Sequence, residues 1–214
     1  TLFRSGHARA VLARLGEEGR LLALDRDPEA VAAAEALAAE DPRVRVRRAP
    51  FSALGRVAAA EGWTGRVNVV LLDLGVSSPQ LDDATRGFSF RMEGPLDMRM
   101  DPDAPYSARD WIAAASIDEL ARVFRELGDE RHARRIARAI DRARREAPIE
   151  TTTALADVVA RAHPAWERDR HPATRVFLAT RMHVNDELGE LERALEAAVE
   201  VLAPGGRLVV IAFH

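Results

Sequence analysis

The chain has 214 residues and is 47% hydrophobic, enough to bury the core of one large domain or of a core carrying one insertion. Charged residues make up 30%, and 31 basic against 34 acidic side chains leave a net charge of -3, which excludes a polycationic tail or a disordered polyanion. The absence of Cys excludes disulfide scaffolds, thiolate zinc sites and cysteine nucleophiles. No apolar run approaches the roughly 20 residues of a membrane span and no signal pattern opens the chain, so a soluble cytoplasmic protein is expected.

In chain order, Ser5-Gly6-His7 is a sparse glycine turn, and Arg20 to Asp25 (RLLALD) reads as a strand. An Ala-rich helix follows over Pro28 to Ala39, with Pro in its first turn, where the missing N–H costs nothing. A second strand is predicted over Val44 to Arg48, a helix capped by Ser52 over Ser52 to Glu61, and a third strand over Val67 to Asp73 (VNVVLLD), apolar enough for a central strand covered on both faces. Leu74 to Ser107 has little periodicity and several Gly and Pro, yet its Phe and Met content argues for an ordered active-site loop. From Ser107 to about Ala162 the pattern is helical, with capping-box spacing at Ser107/Asp110 and Ser116/Glu119 and a start near Thr151. One long helix is expected from Pro172 to Leu202, and Pro204-Gly205-Gly206 then turns the chain into a last strand over Arg207 to Phe213. Strands alternating with helices indicate an α/β fold with a parallel sheet. The expected layout is a discontinuous core, 1–105 and 179–214, with an all-helical insertion over 106–178.

Two strand-ending acids stand out. Asp25 lies 19 positions after Gly6, close to the roughly 20 between a glycine turn and a ribose-binding acid in nucleotide-binding βαβ units. Capping of the helix that begins at Pro28, by Asp25 or Asp27, is an alternative of equal weight to ribose binding. One glycine where a dinucleotide fingerprint has three disfavours an NAD site. Asp73 ends the third strand and leads into Leu74-Gly75-Val76-Ser77-Ser78-Pro79-Gln80, a polar turn at the carboxyl edge of a parallel sheet, where ligands of such folds bind; an ordinary Asx-turn is the alternative. Arg131 to Arg145 holds seven Arg and one acid, and Arg131, Arg134, Arg135, Arg138, Arg142 and Arg145 gather on one helical side. That stripe suits RNA phosphates or a solvated face equally. No His pair has metal-ligand spacing, and His214 falls just after the last strand, at the same edge.

The run DLGVSSPQLDDATRGFSFRMEGPLDMRMD, Asp73 to Asp101, closely resembles the signature of the bacterial small-subunit ribosomal RNA methyltransferase H family, also called MraW. GRLLALDRDPEA from Gly19, APFSAL from Ala49, HPATRVFLATRMHVNDELGELERAL from His171 and the closing LAPGGRLVVIAFH extend the resemblance over essentially the whole chain. It implies a class I S-adenosylmethionine-dependent methyltransferase, a Rossmann-like sheet with an inserted helical domain. The implied reaction is methylation of the exocyclic N4 of a cytidine in the decoding centre of 16S rRNA, on an assembled or nearly assembled small subunit. By the family pattern Gly6, His7, Asp25, Phe51, Asp73 and Gln80 contact the cofactor. Asp73, Ser77 and Ser78 are the catalytic candidates, Phe88 or Phe90 the base-stacking candidates, and Arg131, Arg134, Arg135, Arg138 and Arg142 the RNA contacts of an insertion over 106–178. The family pattern has a further strand and a fuller glycine turn where this chain opens, a glycine at Ser5, and more sequence after His214, so the chain reads as truncated at both ends. A catalytically inactive RNA-binding module that keeps the fold is the competing expectation.

Overall fold

The computed structural model describes residues 6–164 and 171–212. The chain forms two compact units, one of Thr1–Ser77 with Leu188–His214 and the other of Ser78–Glu187. The first opens with α1 (Gly6–Leu12), β1 (Leu21–Asp25), α2 (Pro28–Glu40) and β2 (Val44–Arg48), continues through a 3₁₀ turn (Phe51–Ala53) into α3 (Leu54–Ala60), and reaches β3 (Val67–Asp73). Asp27, not Asp25, caps α2: its carboxylate accepts from the Glu29 N–H at 3.0 Å, with Pro28 in the first turn. The expected Ser52 cap does not form. Phe51 to Ala53 make a 3₁₀ turn after the extended Pro50, α3 starts from Ala53 without a side-chain cap, and the Ser52 N–H is held by a distant carboxylate.

The second unit begins with α4 (Ser78–Asp82) and a 3₁₀ turn (Ala84–Arg86), and its helices are α5 (Ala108–Ala114), α6 (Ile117–Gly128), α7 (Ala133–Glu146), α8 (Thr152–Ala162) and α9 (Ala173–Val184). Ser107 and Asp110 complete the capping box of α5, whereas Ser116 makes only its half, because the Glu119 carboxylate accepts instead from the Trp111 indole at 3.0 Å. α6 packs against α7 and α9, and Gly128 permits the second contact: a Cβ there would lie 2.5 Å from the Arg175 carbonyl.

The segment from Gly87 to Ser107 is ordered, as its apolar content predicts. Leu96 and Met98 are fully buried. Pro95 bridges Thr151, the Leu96 N–H donates to the Glu150 carbonyl at 2.8 Å, and Arg86 donates to the Arg99 and Met100 carbonyls. The expected long helix after Pro172 is broken at Asn185-Asp186, where Asp186 takes a left-handed φ of 48°. The buried Asn185 amide donates to the Met98 carbonyl and accepts from the Met100 N–H, each at 2.7 Å. Asn185→Ala would orphan both loop groups, and we expect a loss of about 2–4 kcal/mol, read by urea unfolding.

The chain returns to the first unit with α10 (Glu187–Val201) and β4 (Leu202–Ile211). β4 starts earlier than expected: Leu202 already opposes Val67, and the strand bulges through Pro204-Gly205-Gly206 before Arg207 opposes Val69. Among the described residues the unit holds two parallel pairs, β1 with β2 and β3 with β4, in place of one continuous sheet. β3 is covered on one face only: Val70 and Leu72 are buried against Ala58, Ala194, Ala198 and Val201, but Val69, on the other face, is 56% exposed. Ala8, Leu12, Leu37 and Val44 form a second core beside β1 and β2. Among the described residues no helix is long and apolar enough to cross a membrane.

Candidate functional site

Both strand-ending acids lie at the carboxyl ends of parallel strands in the first unit. Asp25 stands opposite Arg48 at the end of β1, and its Oδ1 accepts from the Asp27 N–H at 2.9 Å, which shapes the turn into α2. Burial pushes the Asp25 carboxyl above the ordinary aspartate range, against the opposing pull of that N–H. A carboxylate destabilised in this way gains from a ligand that brings hydroxyl donors.

The turn after β2 carries Phe51, half-buried against the cluster of Val70, Leu72 and Ala194, so part of its ring remains open for a planar group. Asp73 ends β3 opposite Ile211, and its Oδ2 lies 3.2 Å from His7 Nδ1 near the start of α1. His7 is half exposed and the Asp73 side chain is 16% exposed, so the pair lies at the surface with the carboxylate mostly covered. Gly6, which opens α1, has nothing within 4 Å of a Cβ position, leaving its backbone approachable. After β3 the chain passes through Gly75 at φ 102°, a conformation that favours glycine, to a buried Ser77. Gly6, His7, Asp25, Phe51, Asp73 and Ser77 therefore belong to one unit. Ser78, exposed, and Gln80, buried, open the second. His214, Ser5 and the rest of the opening turn lie outside the described residues.

One side chain at this edge carries no motif signal. Glu190 of α10 sits with Oε2 3.3 Å from the Ser52 N–H and 3.2 Å from Arg26, joining the turns that follow β2 and β1. The separation of 138 residues from Ser52 hides it from any local pattern.

In the second unit Arg131 lies in the turn before α7, off the helix on which the sequence pattern placed it, and the arginines of α7 divide. Arg134 pairs with Asp118 at 3.2 Å, and Arg144 and Arg145 both reach the buried Asp141 at 2.8 Å. Arg131, Arg135, Arg138 and Arg142 are exposed and have no acidic partner among the described residues, while Ile136 and Ile140 are fully buried on the opposite side. Phe88 is buried with Arg86 stacked over it at 5.7 Å, which removes it as a platform for a base. Phe90 is half-buried and lies 4.7 Å from the His171 ring and 4.8 Å from Phe177. Among the described residues no three His, Cys, Asp or Glu are grouped to hold a metal ion.

The sequence pattern of the MraW methylase family matches residues 1–214. A curated relative, the ribosomal RNA small subunit methyltransferase H of Methylococcus capsulatus (strain ATCC 33009 / NCIMB 11132 / Bath), is 58% identical over 215 residues, spanning 100% of this chain and 71% of the relative.

Proposed function

The chain belongs to the MraW methylase family and is a methyltransferase, and on that premise we propose that it methylates the exocyclic N4 of a cytidine in the decoding centre of 16S rRNA, with S-adenosylmethionine as donor. The observation that carries this reading is the placement of Asp25, Phe51 and Asp73 at the strand ends and turn of one unit, the positions where a parallel α/β sheet binds ligands. The whole-chain match favours an enzyme over an inactive binding module. We read the fold as the class I, Rossmann-like one, with the helices of 106–178 as an inserted RNA-recognition domain.

The donor set fits the cofactor: a buried carboxylate for ribose hydroxyls at Asp25, a half-open ring for adenine at Phe51, and the His7–Asp73 pair with the backbone of Gly6. Gln80 is assigned to the cofactor by the family pattern. When bound, S-adenosylmethionine supplies an electrophilic methyl on a sulfonium. The cytosine amino lone pair is delocalised into the ring, and acceptors on its N–H groups favour a more nucleophilic geometry. Asp73 takes that role, with Ser77 and Ser78 on the following turn, and positioning supplies much of the rate. The base must leave its stack to react, and Phe90, beside His171, is the remaining stacking candidate. A substrate of this kind places the enzyme with ribosomes in the cytoplasm, acting on an assembled or nearly assembled subunit.

The test is transfer of labelled methyl to small subunits lacking the modification, followed by nucleoside digestion. Label in N4-methylcytidine is the expected product, and label in any other nucleoside overturns the assignment. Arg131, Arg134, Arg135, Arg138 and Arg142 are assigned to phosphates, the four without acidic partners contributing most. Converting Arg135, Arg138 and Arg142 together to Gln is expected to weaken RNA binding and to lower the slope of log affinity against log salt by about 2–3, measured by filter binding from low to high salt.

A further inference from the structure

We infer that Glu190 is a positioning residue for the cofactor, a clamp that sets the spacing between the ribose-binding turn and the adenine-binding turn. The inference rests on the cofactor site proposed above. Arg26 follows Asp25 and Ser52 follows Phe51, and one carboxylate oxygen of Glu190 meets both neighbours, the Arg26 guanidinium at 3.2 Å and the Ser52 backbone N–H at 3.3 Å. Its other oxygen accepts from Arg193, one turn along α10, at 2.9 Å, which fixes the Glu190 rotamer. The Glu190 side chain is 11% exposed and that of Arg26 is 18% exposed, so the pair is shielded from water and worth more than a surface pair.

β1 and β2 already run side by side up to the Asp25–Arg48 register position. Beyond that point the Ala49 N–H still donates to the Asp25 carbonyl at 2.9 Å and the Arg48 guanidinium to the Arg26 carbonyl at 3.4 Å, but the ladder itself ends at Arg48 and does not extend to Phe51 and Ser52. A link through a third element, α10, fixes the separation there, because α10 is packed on the β3 core through Ala194, Ala198 and Val201. Burial works to raise the Glu190 carboxyl, and the Ser52 N–H, Arg193 and Arg26 outweigh it, holding the group below the ordinary carboxylate range. It is thus ionised throughout the neutral range and available to Arg26. Glu190 is not among the residues assigned to ribose or adenine and acts through Arg26 and Ser52. Since misplacement of a binding group by a fraction of an ångström weakens a preorganised site, its loss should appear in cofactor affinity and not in the chemical step.

The experiment measures affinity for S-adenosylmethionine and for adenosine by calorimetry, with steady-state transfer to small subunits, for the full chain and its Glu190→Ala, Glu190→Gln, Arg26→Met and Asp25→Asn variants. Glu190→Ala is expected to weaken both nucleoside ligands by about tenfold, by the size of effect seen when a supporting partner of a ligand group is removed. The KM for S-adenosylmethionine should rise in proportion, with kcat and the KM for RNA within about twofold. Glu190→Gln keeps an acceptor for the Ser52 N–H and loses the charge opposite Arg26, so it should fall between wild type and Glu190→Ala, with Arg26→Met beside it. If Glu190→Ala does not fold, Glu190→Gln and Arg26→Met carry the test. Unchanged nucleoside affinity in both, or a KM for RNA that moves as far as the KM for S-adenosylmethionine, overturns the clamp. Asp25→Asn separates the two levels: if it leaves cofactor affinity intact, the site itself is misassigned, whereas if it weakens binding and the Glu190 variants do not, only the clamp fails.

Discussion

Asp73→Ala is expected to lower kcat/KM for methyl transfer by at least about 100-fold, or about 2.7 kcal/mol of transition-state stabilisation, with the fold retained. Retention follows from the surroundings of the carboxylate. Its His7 partner is half exposed, and a surface side-chain pair of this kind is worth about 0–1 kcal/mol. The backbone of Asp73 stays in register with Ile211, and the Leu74 N–H still donates to the Ile211 carbonyl at 2.9 Å. The two roles proposed for Asp73 separate kinetically. If the carboxylate only holds cofactor, saturating S-adenosylmethionine restores kcat; if it also accepts a hydrogen bond from the amino group under attack, kcat stays depressed at saturation. Asp73→Asn, which keeps one acceptor oxygen, should be less damaging than Asp73→Ala. His7→Ala should cost about tenfold or less, since it removes one partner of Asp73 and leaves the acceptor itself. Wild-type kcat/KM in Asp73→Ala would remove Asp73 from the site.

The second large effect is expected at Asp25, where function and stability oppose one another. Burial raises the folded-state pKa of Asp25 above its unfolded value, so the stabilising contribution of this group is present in full below the unfolded pKa and is lost as pH rises through the folded one. Near neutrality the ionised carboxylate therefore works against folding. Asp25→Asn keeps an oxygen for the Asp27 N–H and removes the charge, so thermal stability at pH 7 should stay the same or increase, while affinity for S-adenosylmethionine falls by about tenfold or more, because the charge-assisted acceptor for ribose hydroxyls is gone. In the wild type the same shift predicts that cofactor affinity declines on acidification at a higher pH than an unperturbed aspartate would give. Asp25→Asn should lack that step. Calorimetry from pH 4 to 8 with thermal unfolding of both proteins checks these statements, and a variant that is less stable while binding cofactor normally would contradict both.

The local features of the chain were legible where chemistry and spacing act over a few residues. The strand bounds Val44–Arg48 and Val67–Asp73, the Pro-started helix after Asp27, the Ser107 capping box and the Thr151 start are all set by side chains within four positions of one another. Asp25 and Asp73 could be picked out because an acid closing an apolar run is visible without any tertiary contact. The failures share the opposite cause. The predicted Ser52 cap is absent because Ser52 lies within a 3₁₀ turn, where Glu190 holds its N–H, and the helix starts only at Leu54; the predicted continuous helix breaks at Asn185, whose amide is committed to Met98 and Met100, 85 or more residues earlier.

The sequence by itself determined that this is an α/β chain of the methyltransferase H type, with acids at two strand ends and a basic helix, because these depend on residue type and short spacing. Only the tertiary structure decided that Asp27 rather than Asp25 caps α2, that Phe88 is buried beneath Arg86 while Phe90 remains half-buried, and which α7 arginines lack an acidic partner. It alone also placed Glu190 against the two turns. The Asp27 cap and the Arg86–Phe88 stack join residues only two apart, where the sequence offered equal local alternatives and the folded backbone chose between them, whereas the Glu190 contacts and the Arg134–Asp118 pair depend on which distant group reaches a polar atom, a competition settled by packing between separate elements.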